Sequence, residues 1–528
     1  MRCFEVERRP SFFKQTRANL NFTKNIYKMN NGFSQNLSTL IQGFPVKNVQ
    51  GVLSRKISSI VFDSREVKDG SLFIAIQGFK YDGSRFIGDA ITRGASAFIT
   101  QIPIEALLDL NLNPDEVTAI YVEDCRSALA WVAAEYYGRP SEQMDVYGIT
   151  GTNGKTTVTY ILDSIYKVEN KKSGIIGTIN YYNGDTNLAS SITTPESLDI
   201  NRMLSEMADR RISQCFLEVS SHSLALKRVC GMSFSVGIFT NLSRDHLDFH
   251  GSIENYKDAK KGLFRDNHVG KIVVNIDDLV GREIAAEFSK NLLTVGIDKN
   301  ADVMAENCSL FEDGSCFDLK TPFGSCEIKT NLLGSHNIYN LMLAAAGALH
   351  QGLSLDQIAQ GLQSVDLIPG RFERVPCDEN FSIIVDYAHT ADALRNVLRA
   401  AKSFTSGRVI TVFGCGGDRD RGKRKEMGCV AIEGSEFSVI TSDNPRTEDP
   451  QYIIDGILEG IPSSACEGKD YEVVVDRKEA IGFAIKKARS GDLIMIAGKG
   501  HENYQILKAG SIYFDDREIA EDALRGVL

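Results

Sequence analysis

A strand, a glycine-rich loop and the start of a helix follow one another between Val146 and Val158. Apolar residues up to Ile149 suit a short buried strand, and the run from Val158 to Lys167 suits a helix. Between them, glycines allow backbone N–H groups to close around an anion, and the helix N-terminus adds a partial positive charge. This order of elements predicts a phosphate-binding loop in an α/β fold.

Two side chains of this loop fit the binding of a nucleotide phosphate together with Mg²⁺. Lys155 supplies a full positive charge, and Thr156 is placed to offer its hydroxyl to the metal. The standard pattern requires glycine at position 149, where this chain has Ile149. A plain glycine turn is the alternative, and Gly-Lys-Thr-Thr after an apolar strand argues against it. The expected ATP-binding residues are Gly151, Thr152, Asn153, Gly154, Lys155, Thr156 and Thr157.

Composition indicates an ordinary soluble protein of several domains. The length of 528 residues leads us to expect roughly two to four domains. A net charge of −10 argues against a general nucleic-acid binder. The eleven cysteines include no Cys-x-x-Cys pair, which predicts reduced thiols in a cytoplasmic protein and neither a zinc site nor disulfides. No apolar run approaches the roughly 20 residues of a membrane span.

Four segments are expected along the chain. Residues 1–35 are basic and polar without the apolar core of a secretory signal, which predicts a flexible extension. Translation from Met29 is an alternative explanation of that segment. Alternating strands and helices then predict a small α/β unit over 36–123, a mainly parallel central sheet over 124–368 and a second α/β unit over 369–528.

Polar residues follow the apolar strands of the two larger units. Glu218 ends one apolar run and His246 follows another. Ligands bind at the carboxyl ends of strands in open α/β sheets, so we expect both side chains near the phosphates held by Lys155. A lone surface acid is the alternative reading of Glu218.

Other polar clusters stay open between two interpretations. Residues 63–65 suit either a turn cap or a ligand contact. The polar start of the helix at 334–340 suits either a cap or a nucleotide contact. The basic glycine loop at 415–424 predicts a second anion site, with a solvated charged turn as the alternative. Residues 443–446 and 498–502 each follow an apolar strand, as a binding face built from strand-end loops requires.

Taken together, these motifs resemble the Mur ligases, the ATP-dependent amide-forming enzymes of peptidoglycan precursor synthesis. The resemblance extends from about Ser58 to the C-terminus. It implies an N-terminal domain for the UDP end of one substrate, a central P-loop ATPase domain and a Rossmann-like C-terminal domain that brings the amino acid. It rests on residues 151–157, 218, 241–246, 334–340, 443–446 and 498–502.

The resemblance also implies a role for individual residues. Phe62, Ser64, Thr193, Thr194, Ser220 and Arg228 are expected to bind the UDP-N-acetylmuramoyl dipeptide. The expected meso-diaminopimelate site comprises Arg419, Asp443, Asn444, Pro445, Arg446, Gly498 and Glu502. The expected Mg²⁺ neighbourhood comprises Thr156, Glu218, His246 and Lys260. The expected catalytic residues are Lys155, Glu218, His246 and Lys260. Lys260 matches the lysine that Mur ligases carry as an N-carboxylated side chain.

The implied reaction joins two anions before it forms an amide. The D-glutamyl carboxylate attacks the γ-phosphate of ATP, and the amine of meso-diaminopimelate then displaces phosphate from the acyl phosphate. Positive charge at Lys155 and Mg²⁺ suits the first step. Arg446 suits the far carboxylate of meso-diaminopimelate, which lysine lacks. The resemblance implies small-molecule partners only, a cytoplasmic monomer and a role in cell-wall synthesis, cell shape and cell division.

Three rival functions remain at this point. The first two are related ligases: a lysine-adding enzyme, against which Arg446 argues, and a folylpolyglutamate synthase, which lacks a unit like residues 58–122. The third is a nucleotide-binding regulatory protein that keeps the loop without ligation. The intact set of Lys155, Glu218, His246 and Lys260 argues against that third reading.

Overall fold

The computed structural model describes residues 34–526 except 79–80, 111, 169, 191, 312 and 366. The expected basic extension over 1–35 therefore lies outside the described residues, apart from its last two positions. The chain divides into two units, Met1–Tyr136 and Tyr137–Leu528. Within the described part, no helix is long and apolar enough to cross a membrane, and every cysteine is a free thiol.

The first unit is a small sheet with helices packed on it. Strand order is β2-β7-β6-β5-β4, parallel except for β2, and β1 pairs with β3. The strands are β1 Gln35–Asn36, β2 Val46–Gln50, β3 Lys56–Ile57, β4 Ser59–Val61, β5 Ser71–Ile74, β6 Ala95–Thr100 and β7 Thr118–Val122. The helices are α1 Leu37–Leu40, α2 Ile87–Thr92 and α3 Cys125–Tyr136.

Helix α3 lies in this first unit, which extends to Tyr136, whereas the sequence predicts a domain border at 123/124. One face of α3 is apolar and buried, including Leu129 and Val132. Trp131 of the same helix lies against Phe44, with ring centroids 6.1 Å apart. The sequence pattern placed this helix ahead of the phosphate-loop strand, but packing joins it to the sheet that precedes it.

The second unit begins with a large sheet that is parallel at its centre. Strand order is β11-β10-β9-β12-β8-β13-β14-β15-β16-β17-β18, parallel from β9 to β16 and antiparallel at both edges. The strands are β8 Asp145–Thr150, β9 Ser173–Ile176, β10 Asn180–Tyr182, β11 Asn187–Ala189, β12 Gln214–Glu218, β13 Ser233–Phe239, β14 His268–Asn275, β15 Leu292–Gly296, β16 Val303–Phe311, β17 Gly314–Thr321 and β18 Gly324–Thr330. The helices are α4 Lys155–Lys167, α5 Ser197–Asp209, α6 Ser221–Ala225, α7 Leu247–His250, α8 Ile253–Arg265, α9 Leu279–Glu287, α10 Ser335–His350 and α11 Leu355–Gln363.

A further sheet of the second unit follows from Glu373 onward. Strand order is β19-β20-β24-β21-β22-β23, parallel except for β19, and β25 and β26 form a hairpin. The strands are β19 Glu373–Val375, β20 Ser382–Asp386, β21 Val409–Phe413, β22 Phe437–Ile440, β23 Tyr471–Val473, β24 Leu493–Ala497, β25 Tyr504–Leu507 and β26 Gly510–Tyr513. The helices are α12 Ala391–Phe404, α13 Gly422–Gly434, α14 Pro450–Leu458, α15 Arg477–Lys487 and α16 Asp516–Leu524. The predicted α/β class, with three sheet-bearing parts, is confirmed.

Strand register brings the predicted site loops to common edges. In the central sheet, Glu218 lies opposite Ile149 and Phe239 lies opposite Thr150. The loops that follow β8, β12 and β13 therefore start at one level. In the last sheet, β24 lies between β20 and β21, and β22 is next to β21. The loops after β22 and β24 consequently leave the same edge, as expected for parallel strands.

A fully buried ion pair ties the last helices to β24. Arg477 opens α15, Asp516 opens α16, and neither side chain has exposed surface. The guanidinium donates to both carboxylate oxygens at 2.8 and 2.7 Å and to the Ala497 carbonyl at 3.1 Å. Residues 498–502 of the expected amino-acid site follow Ala497 directly, so this pair anchors their starting point.

Asp516→Asn should destabilise the protein by about 3–5 kcal/mol, because it leaves the Arg477 charge buried without a counter-ion. The midpoint of urea unfolding measures the loss. Asp522→Asn on the same helix is the control, since Asp522 is only half-buried and makes no ion pair within the described part of the chain. Equal midpoints for the two variants would contradict this assignment.

Candidate active site

The loop between β8 and α4 has the geometry of a phosphate cradle. Gly154 stands at the N-cap of α4 in a left-handed conformation, and no side chain caps the helix. The first N–H groups of α4 therefore remain available for an anion, as at other nucleotide-binding helix starts. Ile149 departs from the standard pattern because the chain is still within β8 at that position and turns only after Thr150.

Both loop glycines lie where a larger residue does not fit. A Cβ on Gly151 would stand 1.8 Å from Thr240 Oγ1. A Cβ on Gly154 would stand 2.3 Å from Asn340 Oδ1, at a φ of +86° that favours glycine. Asn340 belongs to the polar start of α10, whose N-cap Gly334 makes no side-chain cap. That polar start therefore touches the phosphate loop and does not cap its own helix.

The end of β13 holds the loop in place. Asn241 accepts a bond from Thr152 N at its carbonyl (2.8 Å) and from Asn153 N at its side chain (3.0 Å). Thr240 Oγ1 donates to the Asn153 carbonyl at 2.6 Å. Because these bonds hold two successive loop residues, Thr152 and Asn153, the cradle is pre-shaped before a ligand binds.

Two lysine amines converge on one carbonyl at the start of the loop. Lys155 Nζ donates to Gly151 O at 2.8 Å, and Lys260 Nζ donates to the same oxygen at 2.7 Å. Burial lowers the pKa of Lys155, which Glu218 and Asp245 oppose. Burial and the Lys155 charge lower the pKa of Lys260 well below its usual value. The Lys260 amine is thus driven toward its neutral form.

Glu218 is a buried carboxylate that joins the phosphate loop to the β9 side of the sheet. Its Oε2 accepts from Thr156 Oγ1 and from Thr178 Oγ1, both at 2.9 Å, and its Oε1 accepts from Thr178 N at 2.8 Å. Arg371 Nη2 also reaches Thr156 Oγ1, at 3.0 Å. A surface location for Glu218, the alternative reading of the sequence, is excluded because the residue is only 1% exposed.

His246 belongs to a second group on the other side of Lys155. Asp245 accepts from His246 N at 2.9 Å, and its Oδ2 lies 3.3 Å from His246 Nε2 and 3.8 Å from His389 Nε2. Burial opposes ionisation of Asp245, but the charges of His246, His389 and Lys423 lower its pKa. Burial lowers the pKa of His246. Two imidazoles thus lie within 4 Å of the buried Asp245 carboxylate.

Thr156 and Glu218 suit a Mg²⁺ ion that also binds substrate phosphates. Their oxygens are adjacent beside the open end of α4, and Mg²⁺ prefers oxygen ligands completed by phosphate and water. The described residues contain no group of three or more His, Cys, Asp or Glu that could hold a metal by themselves. His246 and Lys260, the other predicted members, make no hydrogen bond to Thr156 or Glu218 in the described part of the chain.

The residues expected at the UDP-dipeptide surround the end of β12. Thr194 Oγ1 donates to Glu218 O at 2.7 Å and accepts from Ser220 N at 3.1 Å. Arg228 donates to Thr194 O and to Glu196, each at 2.9 Å. Thr193 Oγ1 lies 3.1 Å from Thr178 Oγ1, which itself donates to Glu218. The structure therefore brings all four predicted residues together beside Glu218.

The two residues predicted for uridine lie in the first unit. Ser64 is buried and Phe62 is half-buried, just after β4. Asp63 accepts from Arg65 N at 3.0 Å and caps the short turn that follows. The capping interpretation is therefore confirmed for Asp63, while the ligand role of Ser64 stays a prediction.

The residues expected at the amino acid form one network between the loops after β22 and β24. Asn444 Nδ2 donates to Glu502 Oε2 at 2.8 Å, and Lys499 Nζ donates to the same oxygen at 3.1 Å. Gly498 is placed so that a Cβ would meet Asp443 Oδ2 at 2.7 Å. Burial raises the pKa of Glu502, which Lys499 opposes. Two acids and a buried lysine thus share this pocket.

Arg446 supplies the guanidinium of the same pocket. Its Nη1 donates to Gly417 O at 2.8 Å, and its backbone N donates to Ile506 O at 3.0 Å. Pro445, between Asn444 and Arg446, is buried. Arg419 is exposed on the neighbouring loop, and its guanidinium donates to Asp418 O at 3.0 Å. The basic loop at 415–424 is therefore partly solvated and partly turned toward Arg446.

Sequence reasoning missed contacts that cross between the two sheets of the second unit. Arg371 reaches Thr156, and Asp392 Oδ2 accepts from Asn153 Nδ2 at 3.2 Å. Arg371 also stacks on Tyr387, 4.4 Å from the ring centroid. These partners stand more than 200 positions from the loop they contact, so no local pattern indicates them. The sequence analysis assigns no role to Lys499, although a lysine between two glycines after a buried strand was an available signal.

Known protein families match most of each unit. Residues 56–137 match the Mur ligase family catalytic domain, 149–348 the Mur ligase middle domain and 370–500 the Mur ligase glutamate ligase domain. These matches, together with the phosphate loop and its acid, define an ATP-dependent ligase that forms amide bonds. The chain belongs to the Mur ligase family.

Individual relatives cover nearly the full chain. A UDP-N-acetylmuramoyl-L-alanyl-D-glutamate–2,6-diaminopimelate ligase of Alkaliphilus metalliredigens is 45% identical over 493 residues, which are 92% of this chain and 98% of that protein. A ligase of the same name from Clostridioides difficile is 43% identical over 92% of this chain and 99% of its own length. A solved structure of a ligase with this name matches with a TM-score of 0.65 and 30% identity, covering 94% of this chain and 99% of that one.

Gly154→Ala should weaken ATP binding at least tenfold, about 1.4 kcal/mol, because the added Cβ collides with Asn340 Oδ1 and reshapes the cradle. Titration calorimetry with ATP and Mg²⁺ measures the affinity. Gly231→Ala is the matched control, since Gly231 has a similar φ of +73° but no atom within 4 Å of the added Cβ. An equal loss of ATP affinity in both variants would refute the steric argument.

Proposed function

We propose that this protein adds meso-diaminopimelate to the D-glutamyl carboxylate of UDP-N-acetylmuramoyl-L-alanyl-D-glutamate, converting ATP to ADP and phosphate. One observation carries the choice of acceptor: the acids Asp443 and Glu502 and the guanidinium of Arg446 meet in one pocket. The names of the relatives at 43–45% identity support the same substrates. The proposal includes Mg²⁺, a cytoplasmic monomeric enzyme, and a role in cell-wall synthesis, cell shape and cell division.

The first step brings a carboxylate to the γ-phosphate, so repulsion between anions is its main obstacle. Lys155 and the uncapped N-terminus of α4 supply positive charge at the phosphates. Mg²⁺ at Thr156 and Glu218 would add further positive charge there. Arg371 brings a second cation to Thr156 from the far sheet. The product of this step is an acyl phosphate and ADP.

Carbamylation of Lys260 would remove the charge repulsion between the two amines that donate to Gly151 O. A neutral buried amine can add CO₂ and release a proton, which gives a carbamate anion. The lowered pKa of Lys260 favours that neutral form. The resulting anion beside Lys155 forms an attractive pair in place of a repulsive one, and it offers oxygens to orient Mg²⁺.

The second step needs an amine held next to the acyl carbon. The far end of meso-diaminopimelate carries both an ammonium and a carboxylate. Asp443 suits the ammonium, and the planar guanidinium of Arg446 can grip the carboxylate through two hydrogen bonds. Burial lowers the pKa of Arg446, and Asp443, Glu502 and Asp418 oppose that shift. An acceptor that lacks the far carboxylate leaves the half-buried guanidinium without an anionic partner, which costs binding.

Phosphate release should require ATP, Mg²⁺, UDP-N-acetylmuramoyl-L-Ala-D-Glu and meso-diaminopimelate together, and L-lysine should not replace meso-diaminopimelate. A continuous phosphate assay on purified protein measures this. Phosphate release with L-lysine in place of meso-diaminopimelate would support the ligase assignment but contradict the choice of acceptor. Release with neither acceptor would overturn the proposed reaction.

Arg446→Ala provides the matched variant for the same assay. It should lower kcat/KM for meso-diaminopimelate at least a hundredfold, about 2.7 kcal/mol, while the affinity for ATP stays unchanged. The affinity for ATP should stay unchanged because, within the described residues, Arg446 makes no hydrogen bond to the phosphate loop. Unchanged turnover of meso-diaminopimelate by this variant would contradict the role of the guanidinium.

Removal of CO₂ should lower activity at least tenfold, and bicarbonate should restore it, because the Lys260 carbamate forms reversibly. Lys260→Gln should be inactive and unresponsive to bicarbonate. Lys261→Gln is the neighbouring control, since its amine pairs with Glu283 and Glu287 at 3.2 and 3.0 Å. Full activity in Lys260→Gln, or a bicarbonate response that survives in it, would rule out the carbamate.

A further inference from the structure

Arg244 is a cation that joins the two sheets of the second unit through its side chain. It lies on the loop between β13 and α7. Its Nη1 donates to Glu426 Oε1 of α13 at 2.6 Å, across 182 positions of the sequence. Its Nε lies 3.8 Å from Oδ2 of Asp420, which precedes α13. The reaction above uses none of these three side chains.

The backbone on either side of Arg244 is tied to the phosphate loop and to the core. Ser243 N donates to Thr152 Oγ1 at 3.0 Å, and that hydroxyl donates back to Ser243 O at 3.2 Å. Asp245, which follows Arg244, is only 6% exposed. A displacement of the phosphate loop at Thr152 is therefore passed to Arg244 through one peptide bond.

Asp420 has one carboxylate oxygen that still lacks a hydrogen bond. Its Oδ1 accepts from Gly422 N at 2.8 Å and so holds the start of α13. Its Oδ2 is buried and has no hydrogen-bond partner in the part of the chain that the structure describes. A charge-assisted hydrogen bond is about 2.8 Å long, so an approach of about 1 Å by Arg244 Nε would complete one here.

The two acidic partners of Arg244 differ in their exposure to water. Arg244 and Glu426 are 46% and 42% exposed, and such a pair contributes little to the free energy of unfolding. Asp420 is only 13% exposed, so water screens a bond to it less. The stronger of the two contacts is thus the one that is not yet made.

We propose that Arg244 and Asp420 form a positioning pair that couples occupancy of the phosphate loop to the placement of the basic loop at 415–424. Binding of ATP at the phosphate loop moves Arg244 onto Asp420 Oδ2, and Glu426 guides the guanidinium there. The inference rests on the proposed function for its two-step reaction, and it adds a contact that links the nucleotide to the loop before α13. Because this contact forms only in the nucleotide-bound arrangement, it stabilises that arrangement and tightens ATP binding by the same factor.

Arg244→Gln and Asp420→Asn test the pair from its two ends. Each removes one charge, and Asp420→Asn keeps an oxygen for Gly422 N. Titration calorimetry with ATP and Mg²⁺ should show a loss of affinity of at least about fivefold in each variant, the low end of couplings between sites. The double variant should lose no more than the weaker-binding single variant, because both changes remove the same contact. The midpoint of urea unfolding should stay unchanged for Arg244→Gln.

Glu426→Gln is the matched control, because it removes the existing surface contact of Arg244 and leaves Asp420 in place. It should change the affinity for ATP less than about twofold. Amide hydrogen exchange of α13 gives a second readout that a merely structural role would not move. ATP with Mg²⁺ should slow this exchange in the unmodified protein and in Glu426→Gln, and should leave it unchanged in Arg244→Gln and Asp420→Asn.

Equal ATP affinities in Arg244→Gln and Glu426→Gln would overturn the inference and leave the proposed function intact. Additive losses in the double variant, or an effect of ATP on α13 that persists in Arg244→Gln, would do the same. Failure of the unmodified protein to use meso-diaminopimelate would instead remove the proposed function. The two failures are distinguishable, because ATP affinity and hydrogen exchange are measured without an acceptor.

Discussion

The meeting of two lysine amines at the carbonyl of Gly151 is the interaction on which the rest of the site depends. Lys155 and Lys260 both reach that oxygen from buried positions. Two ammonium ions so close in a protein interior repel strongly, since little water screens them. One of them has to be neutral or changed into an anion, and the lowered pKa of Lys260 identifies which. The nearby acids Glu218 and Asp245 oppose the lowering of the Lys155 pKa by burial and so favour its charged form.

Contacts between the two sheets of the second unit make the phosphate loop a shared structure. Arg371 binds Thr156, Asp392 binds Asn153, and His389 lies near Asp245. Each contact joins a nucleotide-side residue to the part of the chain that carries the amino-acid pocket. A ligase that must make an acyl phosphate and then deliver an amine benefits from this arrangement, because the second substrate is bound by the same body that completes the first site.

Local sequence patterns predict the phosphate loop and the polar residues at the strand ends. The other contacts of the site join residues that are far apart in the sequence. The apolar run into Gly151 and the acid at the end of β12 could be read from sequence, because burial and turn chemistry act within a few residues. The packing of α3 on the preceding sheet could not be predicted, because the periodicity of a helix does not indicate which sheet it contacts. Arg371 and Asp392 were missed for the same reason. The roles of Thr193, Thr194, Ser220 and Arg228 came from a resemblance, and the structure adds only that they are neighbours.

Charge balance explains both substrate sites with one argument. At the phosphate loop, an excess of positive charge is suitable because the ligands are anions. At the amino-acid pocket, Lys499 pairs with Glu502, and both Asp443 and Arg419 act on the charge of Arg446, so charges of both signs lie close together. A pocket with charges of both signs favours a zwitterion over a cation of similar length, since only the zwitterion satisfies both charges at once. The proposed sites thus differ in charge, and on this proposal the phosphate loop favours an anion while the amino-acid pocket favours a zwitterion.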